Sequence, residues 1–84
     1  MGLFFKSKKY DDGELCLTAE RAIREHPILK DITNISVLSE DGEVQILGQV
    51  NSSADKKRIT KTIKSKFKRS SKNYKAIENK LKIR

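Results

Sequence analysis

Apolar residues recur along this chain with two different spacings, and the spacing changes wherever turn-forming residues occur. Between Asp11 and His26 the apolar positions lie three or four residues apart, which places them on one side of an α-helix. This stripe consists of Leu15, Ala19, Ala22 and Ile23. Pro27 disfavours helical geometry for the residue before it. The pattern therefore predicts a first helix from Asp11 to about His26.

The spacing then changes to alternation, which is clearest at Val44, Ile46, Gly48 and Val50 and is typical of a strand with one buried face. A short strand is predicted over residues 35–39, and a second strand follows over residues 44–50. Between them lies Asp41-Gly42, and both of these residues accept the positive φ that a tight hairpin turn requires. We therefore expect an antiparallel hairpin.

Helical spacing returns after the hairpin. Ser52 or Ser53 is expected to cap the free amides of the first turn. Asp55 is placed to form a reciprocal pair of hydrogen bonds with Ser52, as in a capping box. The predicted second helix runs to about Arg69. Its inward stripe consists of Ile59, Ile63 and Phe67.

Alternation resumes from Tyr74 to Arg84, which predicts a final strand. The resulting order α-β-β-α-β predicts an α+β fold, with two helices packed on one face of a three-stranded mixed sheet. A right-handed crossover through the second helix would lay the last strand parallel to the second one. With 84 residues the chain suits a single small domain. We expect this domain to cover residues 11–84, after a flexible tail of residues 1–10.

Charge is distributed unevenly along the chain. The formal net charge is +8, and the segment from Lys56 to Lys75 contains basic residues but no acidic one. Five of these basic residues are predicted to project from the side of the second helix opposite its apolar stripe: Lys57, Arg58, Lys61, Lys64 and Lys68. Like charges four residues apart cost a helix a few tenths of a kcal/mol each. That cost favours an anion-binding surface over a merely solvated one.

The hairpin strand and the closing strand resemble those of the BON domain, a small bacterial α/β module. The resemblance is carried by Gly42, Val44, Ile46, Gly48 and Val50, and by Ile77-x-Asn79-x-Leu81-x-Ile83. It covers roughly residues 11–84 and implies phospholipid binding and envelope attachment, without a catalytic residue. Many members are exported and occur in tandem, whereas we expect a stand-alone domain here.

The first residues combine apolar and basic side chains. Leu3, Phe4 and Phe5 are candidate points of membrane insertion, flanked by lysines; the alternatives are a segment packed on the domain or plain disorder. Five basic side chains facing an anionic membrane would contribute roughly 5 kcal/mol, a dissociation constant on the order of 10⁻⁴ M. We therefore expect a non-enzymatic module that docks on anionic phospholipid headgroups.

Two other classes of partner stay open. The same basic face could follow the phosphates of nucleic acid, which is the main alternative. The aromatic residues that would stack on bases are scarce and are not interleaved with the lysines. An acidic protein, or a small cation bound by loop carbonyls, is a third interpretation for which no residue discriminates.

The residues that usually carry catalysis or bind metals are few. His26 is the single histidine and precedes a proline, so a capping or solvated role is expected. Cys16 is expected to be a small buried hydrophobe and fits a reducing compartment. We expect no enzyme activity, cofactor or metal. Because no apolar run reaches the length of a signal peptide or a membrane span, we expect a cytoplasmic protein, peripheral on the inner face of the membrane.

Overall fold

Two helices and a mixed sheet form the domain in a computed structural model that describes residues 9–84. The elements in chain order are α1 (Asp12–Glu25), β1 (Ile35–Glu40), β2 (Glu43–Val50), α2 (Ser53–Arg69), β3 (Ala76–Asn79) and β4 (Lys82–Ile83). β1 pairs with β2 in antiparallel orientation, and β3 and β4 both pair with β2 in parallel. The predicted α+β fold and its order are confirmed.

One apolar core joins both helices to a single face of the sheet. Val44 and Ile46 of β2 are fully buried, whereas Gln45 between them is only half-buried. The predicted stripes of both helices are confirmed as core residues. Together with the strands they contribute Leu15, Ala19, Ile23, Ile59, Ile63, Phe67, Val37, Val50 and Leu81. The face of the sheet that carries the strand residues of this core, such as Val44, Ile46 and Val50, is called the inner face below.

The hairpin turn between β1 and β2 is fastened to the start of α1. Asp41 and Gly42 have φ values of 51° and 82°, as the predicted tight turn requires. The carboxylate of Asp12 accepts hydrogen bonds from Asp41 N at 2.8 Å, Gly42 N at 2.9 Å and Ser39 Oγ at 2.7 Å. A Cβ atom on Gly42 would lie 2.6 Å from the Tyr10 ring. A glycine at position 42 therefore allows both the positive φ of the turn and the close packing of the Tyr10 ring.

The closing strand is interrupted, in contrast to the predicted continuous strand from Tyr74 to Arg84. β3 and β4 keep the same register along β2, but the backbone N–H of Leu81 donates to Asn79 Oδ1 at 3.0 Å. Tyr74 precedes the strand and packs its ring on Phe67, with ring centroids 5.0 Å apart. The pairing of the closing strand parallel to β2 is confirmed.

Candidate anion-binding surface

The first turn of α2 sets the direction in which its basic side chains project. Ser52 is the N-cap, and its hydroxyl oxygen accepts a hydrogen bond from Asp55 N at 3.1 Å. Of the two reciprocal hydrogen bonds predicted between Ser52 and Asp55, this is the one that forms. The Asp55 carboxylate instead accepts a hydrogen bond from Arg58 Nη1 at 2.9 Å. Arg58 is therefore half-buried and ion-paired, although the sequence placed it among the free basic residues.

Acidic residues outside the segment from Lys56 to Lys75 neutralise several of its basic residues. These ion pairs are Arg58–Asp55 at 2.9 Å, Lys66–Glu25 at 3.0 Å, Lys72–Glu14 at 3.0 Å and Lys75–Glu43 at 3.5 Å. The pairs of Lys66 and Lys72 join the second half of the chain to α1. The segment from Lys56 to Lys75 contains only basic charges, but it therefore does not form a uniformly positive surface in the folded protein.

Four exposed lysines of α2 stay available to an external anion. Lys57, Lys61, Lys64 and Lys68 are exposed and form no ion pair with any residue of the range 9–84. Their spacings of four, three and four residues place them side by side on one helical surface, with Cβ atoms about 5–6 Å apart. We call these four residues the lysine row.

A groove of about 560 Å³ lies beside the lysine row, between α2 and the end of the closing strand. Lys57, Lys61 and Lys64 line it together with Lys56, which is half-buried. Its other side is formed by Ile83 of β4. Three of the five predicted site residues thus lie around one cavity.

The amide side chain that lines this groove, that of Asn79, is satisfied within the protein. Asn79 Nδ2 donates to Lys56 O at 2.9 Å and to Thr60 Oγ1 at 2.6 Å, and Asn79 Oδ1 accepts from Leu81 N. Asn79 therefore ties the closing strand to α2. The groove exposes an apolar side chain as well, because the side chain of Ile83 is 48% exposed while its partner Val50 is 3% exposed.

The residues that carry the resemblance have structural roles. Val44, Ile46 and Val50 fill the core, and Gly42 forms the turn. Gly48 has a φ of 131°, and a Cβ atom there would collide with the carbonyl oxygen of Asn34. Asn79 is the one polar member, and its role is the bridge to α2. The sequence did not identify Lys56, Thr60 or Ile83 as part of a site, since only the position of the closing strand beside α2 brings Ile83 near the other two.

His26 and Cys16 are both engaged in local structure. His26 caps α1, and its Nδ1 atom accepts a hydrogen bond from Ile28 N at 3.1 Å. Cys16 is half-buried rather than fully buried, and its thiol lies 3.6 Å from Val37 O. Burial, with the nearby charges of Glu20 and Asp12, raises the pKa of this thiol. Among residues 9–84, no group of three or more histidine, cysteine or acidic side chains could hold a metal ion.

The predicted insertion points Leu3, Phe4 and Phe5 lie outside the described residues. The described part of the chain begins beside the hairpin turn, where Tyr10 packs on Gly42 and Lys9 O accepts a hydrogen bond from Asn73 Nδ2 at 3.3 Å. None of the helices between residues 9 and 84 has the length and apolar character needed to cross a bilayer.

No family model matches the chain, and no curated protein matches it either. The resemblance to BON domains therefore stays a prediction.

Proposed function

We propose that this chain is a non-enzymatic binding module that docks on anionic phospholipid headgroups through the lysine row. The supporting observation is that these four exposed ammonium groups lie together on one surface of α2 without an ion pair inside the described range. Lys66, on the α1 side of the same helix, is paired with Glu25. Four free charges thus lie next to one another on one surface, which suits contact with a flat anionic layer.

The size of the electrostatic contribution follows from the number of free lysines. Each basic side chain near an anionic membrane surface contributes about 1 kcal/mol, so the lysine row supplies about 4 kcal/mol. That corresponds to a dissociation constant on the order of 10⁻³ M. Arg58 adds little, because its guanidinium is already paired with Asp55. Charge alone therefore gives weak, reversible docking, and insertion of Leu3, Phe4 and Phe5 would strengthen it.

The proposed place of action is the cytoplasm, with peripheral contact to the inner face of the membrane. The anionic lipids of that leaflet supply the negative surface potential that attracts lysines. The free thiol of Cys16 agrees with a reducing compartment. The predicted resemblance to BON domains supports contact with phospholipid but not the choice of compartment, because many members are exported.

Nucleic acid is the competing partner, and the described aromatic residues do not favour it. Phe67 is fully buried, Tyr74 packs on Phe67, and Tyr10 packs on Gly42. Binding of single strands gains much of its affinity from bases that stack on exposed rings. The lysine row alone would give only phosphate contacts with a steep dependence on salt.

Co-sedimentation with phosphatidylglycerol and phosphatidylcholine vesicles tests the proposal, with short RNA and DNA titrated in parallel at two salt concentrations. We expect binding to the anionic vesicles alone. The variant Lys57→Glu, Lys61→Glu, Lys64→Glu should reduce it at least about 100-fold, because three attractions become repulsions.

The matched control reverses three basic residues elsewhere on the surface. Arg21, Lys30 and Lys82 are exposed and have no ion pair among residues 9–84, so changing all three to Glu alters the net charge equally. We expect this control to keep most of the vesicle binding. Equal losses in both triple variants would show that net charge, not the lysine row, causes binding. Binding to RNA or DNA without vesicle binding would refute the membrane proposal.

A further inference from the structure

The groove beside the lysine row has an apolar side that docking on headgroups does not require. We propose that this groove binds a single-chain anionic amphiphile, such as a fatty-acid carboxylate, one molecule at a time. The alkyl chain would lie along Ile83 and the methylene stems of the lysines. The carboxylate would lie among the ammonium groups of Lys57, Lys61 and Lys64.

The first argument is the uncovered position of Ile83. Its partner in the sheet is Val50, so Ile83 lies on the inner face with the core residues, yet α2 leaves 48% of it exposed. The neighbouring Leu81 is 2% exposed and belongs to the core. The adjoining volume of about 560 Å³ falls within the range of about 300–1,000 Å³ that small-molecule sites occupy. The groove thus offers apolar contact and enough room for an alkyl chain.

The second argument is the state of the polar groups in the groove. Both N–H groups of the Asn79 amide are used by Lys56 O and Thr60 Oγ1, and its oxygen is used by Leu81 N. An occupant therefore finds charge and apolar surface there but no free amide. An alkyl anion needs nothing else.

The same hydrogen bonds disfavour an extended peptide. A peptide that adds to a sheet edge needs free backbone groups along that edge. At the closing strand, Leu81 N is already occupied by Asn79 Oδ1, and β3 and β4 are separate short segments. The edge therefore cannot provide a continuous series of partners.

The third argument is the sign of the charge at the rim. Four lysines, at positions 56, 57, 61 and 64, line the groove, and none forms an ion pair with another described residue. Lys56 is half-buried, so its stem contributes to the wall. An anionic head group would relieve the mutual repulsion of these ammonium groups, whereas a neutral or cationic one would not.

This inference rests on lysines that the proposed function also uses, but the two ligands differ physically. Docking on a membrane requires only exposed ammonium groups facing a layer of lipids. The groove requires Ile83 as well, and it binds a monomer dissolved in water. A change at Ile83 should therefore separate the two activities.

The experiment is a titration of the ¹⁵N-labelled protein with octanoate, decanoate and dodecanoate, each below its micelle concentration and followed by amide chemical shifts. We expect saturable shifts at Thr60, Lys64 and Ile83. The affinity should rise about two- to fourfold for each added methylene group. Decanol and decyltrimethylammonium should bind at least about tenfold more weakly than decanoate.

The variant Ile83→Ser should weaken decanoate binding about five- to tenfold and leave vesicle binding unchanged. Its matched control is Leu38→Ser. Leu38 has a similar exposure, 53%, but its neighbours Val37 and Ser39 point to the inner face of the sheet, so Leu38 lies on the opposite face. The chain-length series on the unaltered protein does not depend on how either variant folds.

Absence of saturable shifts at the groove, or equal affinity for all three chain lengths, would overturn the inference. Equal binding of decanol and decanoate would do the same. Decanoate binding without vesicle binding would overturn the proposed function alone. Vesicle binding without decanoate binding would overturn only the present inference.

Discussion

The hairpin turn depends on a side chain from α1, and replacing Asp12 with alanine tests that dependence. The carboxylate accepts three hydrogen bonds of 2.7–2.9 Å from Ser39, Asp41 and Gly42. Hydrogen bonds to a charged group contribute about 1.5–3 kcal/mol each. Because the three bonds share one carboxylate and the donor at Asp41 is exposed, we do not expect them to add fully. We predict that Asp12→Ala lowers the free energy of unfolding by about 2–4 kcal/mol.

A loss of this size is readily measured, since a domain of 84 residues has a total stability of about 4–13 kcal/mol. Urea unfolding followed by circular dichroism should show a lower midpoint with an unchanged slope. Asp12→Asn keeps one neutral acceptor oxygen, which can still serve Ser39 and Gly42, and should give an intermediate value. Asp31→Ala is the control, because Asp31 is exposed and has no side-chain hydrogen bond or ion pair within residues 9–84. If Asp12→Ala stayed within about 0.5 kcal/mol of the unaltered protein, the turn would not depend on this carboxylate.

Three further predictions follow from local geometry. Gly48→Ala should destabilise the domain by several kcal/mol in thermal unfolding, because the added Cβ would collide with Asn34 O. Gly13→Ala in α1 should instead stabilise it by about 0.5–1 kcal/mol, and equal effects of the two substitutions would contradict this geometry. Asn79→Ala should cost about 1–3 kcal/mol in urea unfolding and reduce amide protection in β4, because it removes the bridge to α2; unchanged protection would argue against the bridge. The raised pKa of Cys16 leaves less thiolate near pH 8, so alkylation of this thiol should be slower in the folded protein than in urea. Equal rates in the two states would count against burial of the thiol.

The elements were predictable because their signals are local. The helical stripes, the turn at Asp41-Gly42 and the cap at Ser52 each depend on residues within a few positions of one another. The sequence also indicated that the closing strand runs parallel to β2, since a right-handed crossover through a helix permits few other arrangements.

The candidate site was only partly predictable, because ion pairing and the burial of a side chain depend on residues that are distant in the sequence. The spacing of Lys57, Lys61 and Lys64 was sufficient to place them on one surface. Nothing local distinguishes them from Lys66, whose partner Glu25 lies on another helix. Alternation places Ile83 on the same side of the closing strand as Leu81, but it does not reveal that α2 leaves Ile83 exposed.

The central position of β2 also bears on the order in which the domain assembles. β1 reaches β2 through a turn of two residues, whereas the closing strand arrives only after all of α2 has been added. Since distant pairings cost more loop-closure entropy, the hairpin should form first. Until the closing strand docks, one edge of β2 is open to pairing with another chain. The net charge of +8 keeps partly folded chains apart by repulsion during that interval and so opposes aggregation.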